Sequence, residues 1–222
     1  FLMVLSAGGL HHLIPRLHGP TESAEVSAQS LFQGARATFS DTSLLALLAA
    51  SFLLYMAFGY YAATFGYMYG YFWGLSTEQM SGMAVMWGIS AVFTFLITPI
   101  LARRFGKRSL ALSMLTLAPA VTVAPVLLRL IGWFPGNDSP WLYPILMVHT
   151  IWDFFNLLVF MVMMLSMLAD VIDQRAVATG RREEGIIYAS YTFMIKATSG
   201  AGVLIASLIL SLTEFPSGVE VS

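Results

Sequence analysis

Residues 141–168 read WLYPILMVHTIWDFFNLLVFMVMMLSML, a run whose one charged side chain is Asp153. A helix that crosses the hydrocarbon core of a bilayer needs roughly 20 mostly apolar residues, and this run exceeds that. Working outward, four further stretches reach the same length: about 44–73, 80–102, 109–133 and 187–212. The composition agrees, with 58% apolar and 10% charged residues among 222. Soluble domains carry about 25% charged residues, so this chain cannot cover a water-facing surface. Cysteine is absent, which excludes disulfides and thiolate metal sites. The fold class is therefore an all-α polytopic membrane protein.

The connections between the spans set the orientation. Residues 1–17 read as the end of another spanning helix. Residues 18–43 form a linker rich in Ser, Thr, Gly, Ala and Gln, with a short amphipathic stretch near residues 30–38. Ser76-Thr77-Glu78 and the segment Pro135–Pro140 carry turn chemistry, whereas Arg103–Arg108 and Asp170–Glu184 are charged loops. Lys and Arg gather in cytoplasmic loops. Placing residues 11–43, 102–108 and 170–186 on one side collects Arg16, Arg36, Arg103, Arg104, Lys107, Arg108, Arg175, Arg181 and Arg182 there, nine of eleven basic residues. The opposite side keeps Arg129, and Lys196 lies inside a span. The linker is accordingly expected in the cytoplasm, in a multi-pass protein of the cell (inner) membrane.

A few positions carry chemistry. An intramembrane lysine costs at least ~2.5–3.5 kcal/mol on insertion scales, so Lys196 is expected to face a water-filled cavity, a counter-ion or a substrate. Asp153 has His149 one turn earlier on the same helix face. The two are placed to relay protons or bind a polar ligand, or to line a polar seam between helices, and an Asp153–Lys196 pair is a further option. No third ligand stands nearby, so no metal site is expected. The span 44–73 is dense in aromatics: Tyr67–Trp73 reads as an interfacial belt, while Tyr55, Tyr60 and Tyr61 are candidates for a cavity wall. Gly66, Gly70 and Gly74 form a small-residue stripe that permits close helix approach. Pro119 and Pro125 predict a kink in the third span, and Gly200-Ala201-Gly202 reads as helix packing. No nucleophile elbow or phosphate loop is present, and the chain is not expected to be an enzyme.

Several segments resemble a known family. Ala169-Asp170-Val171-Ile172-Asp173, Thr179-Gly180-Arg181-Arg182-Glu183-Glu184-Gly185-Ile186, Tyr188 and Thr192-Phe193-Met194-Ile195-Lys196 resemble the melibiose-permease-like glycoside–pentoside–hexuronide:cation symporters of the major facilitator superfamily. Arg103-Arg104-Phe105-Gly106-Lys107-Arg108 is similar to the basic loop between that superfamily's eighth and ninth helices. The resemblance implies a partial major facilitator fold: residues 1–17 end helix six, 18–43 are the central cytoplasmic linker, 44–213 are helices seven to eleven, and 214–222 are a tail. It implies that Lys196, Thr192 and Tyr191 border the central cavity. It also implies that Asp170, Asp173, Arg182 and Glu184 belong to the inner gate, although the plain reading of those charges is a solvated loop. The chain departs from the family at Gln174-Arg175-Ala176, where Tyr-Gly-Glu is common, and at Met161, where the sugar transporters place Trp.

The function so implied is the C-terminal part of a secondary transporter, carrying a sugar, glycoside or similar polar solute by cation-coupled symport. Its partners would be the bilayer, the polar solute and an N-terminal helical half, with no nucleic acid. No cofactor is implied; a coupling cation, Na+ or H+, would bind outside this chain. A lysolipid or amphiphile carrier of the same fold, and a non-transporting assembly subunit, are the competing readings.

Overall fold

The computed structural model describes residues 42–179 and 184–213. The expected end of helix six, nearly all of the linker with its amphipathic stretch, Arg182 and the 214–222 tail lie outside the described residues.

The described residues form five helices: α1 (Thr42–Tyr67), continued by a π-helical turn (Met68–Phe72), α2 (Thr77–Phe105), α3 (Lys107–Leu130), α4 (Leu142–Thr179) and α5 (Glu184–Leu212). All five are long and apolar enough to cross a membrane. Local chemistry sets their ends. Ser76 caps α2 through a reciprocal box in which the Gln79 N–H donates to Ser76 Oγ at 3.2 Å and the Ser76 N–H donates to Gln79 Oε1 at 2.9 Å. Gly106 alone separates α2 from α3, with φ 79° and ψ 150°, a region that essentially only glycine occupies. This one-residue corner holds the basic run Arg103–Arg108 at one end of the bundle.

One boundary differs from the sequence reading. Asp170–Glu184 is not all loop, because α4 continues helically to Thr179. The charges at Asp170, Asp173 and Arg175 end the apolar run but not the helix. At 1.5 Å per residue, the 38 residues of α4 extend ~57 Å, well beyond a ~30 Å hydrocarbon core. Its last turns therefore project past the membrane.

Helix α4 is the hub. Half of its most apolar window is buried, against 17% for each of the others. It packs on α2 and α3 and, less extensively, on α1, whereas α5 packs chiefly on α1. The α1–α5 contact is a backbone crossing at Gly59 and Gly202. A Cβ at Gly59 would overlap the Ser199 carbonyl, and one at Gly202 would overlap the Met56 carbonyl. The expected stripe does not serve this purpose, since a Cβ at Gly66 or Gly70 would meet nothing within 4 Å. Gly74 is needed for its positive φ of 65°, which ends the π turn. Of the 200–202 triplet, Gly202 is the packing residue and Gly200 faces open space.

The aromatic run also departs from a simple belt. Tyr69 (7% exposed) and Trp73 (3%) turn inward and join Leu75, Met83, Leu142 and Leu146 in an apolar cluster at the end opposite the basic corner. Tyr71 stays exposed. A π turn takes in one extra residue, which moves the following side chains to a different face. Large apolar side chains such as Phe95 and Leu204 are exposed along the outside, as a lipid-facing surface requires.

Candidate functional site

Helix α3 carries the two prolines that shape the site. In an α-helix each N–H bonds the carbonyl four residues earlier, and proline has no N–H to give. Pro125 therefore leaves the Val121 carbonyl without its helical donor, and Pro119 does the same to Leu115. His149 of α4 meets the first need: its Nε2 lies 2.9 Å from Val121 O and donates to it. Because a carbonyl only accepts, this contact places the proton on Nε2. One turn further along α4, the Thr122 hydroxyl donates to Asp153 Oδ1 at 2.6 Å. Both ionisable groups of the α4 span are thus bound to α3.

A cavity of about 530 Å³ opens between α1, α3 and α4 at this level. Tyr60, Tyr61, Tyr69 and Trp73 contribute aromatic wall, and His149, Thr122 and Asp153 the polar part. Asp153 is the one Asp, Glu, Lys or Arg in its lining. A smaller cavity of about 140 Å³ adjoins it and shares Tyr61, Thr122 and Asp153. Asp153 and His149, read as neighbours on one helix face, and Tyr60 and Tyr61, read separately as cavity-wall candidates, line this one cavity.

Lys196 and Thr192 stand elsewhere. Both are exposed on α5, one turn apart, and neither lines the two cavities beside Asp153. Among the described residues Lys196 takes part in no ion pair. An Asp153–Lys196 pair is not formed, because Asp153 is turned to α3 while α5 packs chiefly on α1. Tyr191 is 4% exposed and lines neither cavity beside Asp153. It is packed where α1, α4 and α5 meet, with Leu44, Leu168 and Ile187. Tyr55 lies against it edge-on, ring centroids 6.4 Å apart, so this pair is core.

At the basic end, Asp170 receives both its hydrogen bonds from Lys107 Nζ, at 2.6 and 2.7 Å. This pair ties the projecting part of α4 to the α2–α3 corner. Asp173 and Glu184 are exposed, and Arg182 is outside the described residues. At the opposite end, Arg129 donates to Pro135 O at 2.6 Å and to Asn137 Oδ1 at 2.9 Å, and Asn137 Nδ2 donates to Phe72 O at 3.3 Å. These bonds fasten the α3–α4 connection over the π turn.

Sequence reasoning missed Lys107, Thr122, Tyr69 and Asn156. Lys107 was one of four basic residues in a run read only as a charged loop, and nothing about Thr122 sets it apart from other hydroxyls in apolar spans. Asn156 was findable, as an amide one turn after Asp153 within the same span.

No curated protein and no solved structure matches the chain. A family model described as MFS/sugar transport protein does match, over residues 1–222. With five membrane-length helices and a family match across its whole length, the chain belongs to the MFS/sugar transport protein family, a family of multi-pass membrane transporters.

Proposed function

We propose that this chain is the C-terminal part of a melibiose-permease-like secondary transporter of the inner membrane, moving a sugar, glycoside or related polar solute by cation-coupled symport. The observation that carries the reading is Lys196. It lies twelve residues into α5, ~18 Å of helix rise from Glu184, and is exposed without an ionic partner among the described residues. A charge at that depth calls for water, substrate or a second helical half beside it. Thr192 on the same face supplies a hydroxyl suited to a polyhydroxylated solute. The Lys107–Asp170 pair fits an inner-gate role, holding the α2–α3 corner to α4 when the cytoplasmic side is closed.

The test is solute uptake by the protein in vesicles or cells, over a panel of glycosides, pentoses, hexuronates and lysolipids. Lys196→Ala is expected to reduce uptake at least tenfold at unchanged membrane abundance. Uptake unaffected by that change would refute the assignment. The mostly aliphatic and aromatic wall of the 530 Å³ cavity favours an amphiphile as the second reading. Lysolipid uptake that no sugar competes would select it.

A further inference from the structure

Three arginines without an ionic partner stand together at one end of the bundle. Arg103, Arg104 and Arg108 flank the Gly106 corner, are exposed, and form no ion pair among the described residues. Lys107, between them, is already committed to Asp170. At the opposite end the Arg129 guanidinium is taken up by Pro135 O and Asn137.

Two depressions open beside the arginines and share a wall. One, of about 530 Å³, runs between α1, α3 and α4. Its mouth carries Thr42, Ser43, Arg108 and the already paired Asp170, and its depth is apolar, with Ala46, Ala50, Leu115, Phe160 and Met164. The other, an open recess of about 700 Å³, follows the first turns of α3 from Phe105 to Thr116. Arg108 and Leu112 belong to both. Two hydroxyls in the second recess are turned back on their own helix: Ser113 donates to Ser109 O at 2.9 Å and Thr116 to Leu112 O at 3.0 Å. A surface whose polar groups are satisfied internally can face hydrocarbon. From Arg108 to Leu115 α3 rises ~10 Å, so the groove descends from the charged corner into the apolar part of the bundle.

We propose that the two depressions seat one anionic diacyl phospholipid of the adjacent leaflet, its phosphate at Arg108 and an acyl chain on either side of Leu112. The charges select the head group. Arginine pairs bidentately with phosphate, and basic pockets between membrane helices suit anionic head groups. Arg104, its guanidinium carbon 5.6 Å from the Phe105 ring centre, and Arg103 add to the positive field at the mouth. Asp173 lines neither depression. The apolar depth selects the tails, since a free phosphate would leave it empty. Basic loops gather in the cytoplasm, and anionic lipids enrich that leaflet, so the expected orientation and the occupant agree. Seated there, the lipid bridges α1 and α3, which otherwise touch little. It is a resident of the fold and not cargo, so the proposal stands whichever solute is carried.

The experiment delipidates the purified full-length protein in a neutral detergent and titrates it with phosphatidylglycerol or phosphatidylcholine of identical acyl chains. Native mass spectrometry counts bound lipid, and the melting temperature is read in parallel. One phosphatidylglycerol should be retained at least tenfold more tightly than phosphatidylcholine, with a rise in melting temperature. Arg108→Gln should weaken retention about fivefold, and replacing all three arginines by Gln about a hundredfold, at about fivefold for each basic residue. Ala46→Trp fills the groove from an exposed position on α1 and leaves every charge in place; it should weaken retention at least fivefold. Equal retention of the two lipids, or retention that Arg108→Gln does not change, would overturn the proposal. Loss in the arginine variants without loss in Ala46→Trp would mark adsorption to a basic surface and overturn the seat in the groove. Displacement of the lipid by an equal concentration of inorganic phosphate would overturn it as well, leaving a plain anion site. No retained lipid, together with a lower melting temperature of Ala46→Trp, would overturn it by assigning the groove to another protein helix. Should Arg108→Gln fail to fold, Ala46→Trp and the Arg103→Gln/Arg104→Gln double variant decide by the same criteria.

Discussion

If His149 exists to satisfy a carbonyl that Pro125 has orphaned, removing the proline should remove the need for the histidine. His149→Leu deletes the donor of a half-buried 2.9 Å hydrogen bond and leaves Val121 O without a partner. A buried unsatisfied polar group costs about 1–3 kcal/mol. Side-chain hydrogen bonds measured inside membranes average ~0.6 kcal/mol and reach ~1.7, so the lower part of the first range is expected. In Pro125→Ala the new alanine N–H is in register to bond Val121 O, and the helix repairs itself. His149→Leu on that background should lose packing only. The double-mutant cycle should therefore show a coupling of ~0.6–1.7 kcal/mol. At ~2–4 °C per kcal/mol for a chain of this size, that is roughly 1–7 °C of apparent melting temperature in detergent. Equal costs of His149→Leu in the wild-type and Pro125→Ala backgrounds would refute the argument.

Other outcomes follow from the packing. Gly202→Leu and Gly59→Leu drive side chains into opposing backbone and should abolish a monodisperse peak in size-exclusion chromatography. Gly66→Ala and Gly70→Ala, facing open space, should leave that peak intact or raise stability by about 0.5–1 kcal/mol. Trp73→Ala removes a ring that is 3% exposed and should cost about 3–5 kcal/mol, while Trp133→Ala, 81% exposed, should change stability by under ~0.5 kcal/mol; thermal denaturation of the pair compares them directly. The Lys107–Asp170 pair is 41% and 47% exposed, so Lys107→Ala should cost no more than ~1 kcal/mol. That loss should shrink between low and high salt, and the charge-swapped double variant should recover part of it.

The number and placement of the helices were legible because lipid imposes length and apolarity on every span. What hydropathy reads is the membrane, not the helix, and so the extension of α4 from Asp170 to Thr179 was invisible to it. The π turn at Met68–Phe72 was likewise hidden, since no residue type marks it. Without it, Tyr69 and Trp73 looked like belt residues. Asp153 with His149 stood out from the sequence as ionisable groups at helical spacing. Their partners on α3 did not, because nothing along the chain says which helices are neighbours. The same gap explains the glycines: the regular stripe at Gly66 and Gly70 was prominent and idle. Gly59 and Gly202, with no shared motif, hold the α1–α5 crossing.

That crossing has a consequence for biosynthesis. Gly59 and Gly202 are ~140 residues apart, and chains emerge at about 5–20 residues per second. The notch at Gly59 therefore waits roughly 7–30 s, facing lipid or the insertion machinery, before its counterpart on α5 is made. For that interval the face of α1 that receives α5 stays unpacked, and α4, once made, adds only a lesser contact. Chains stalled before Gly202 should be the ones that the cell's membrane proteases recognise, and α5 acts as the late clasp that ends their exposure.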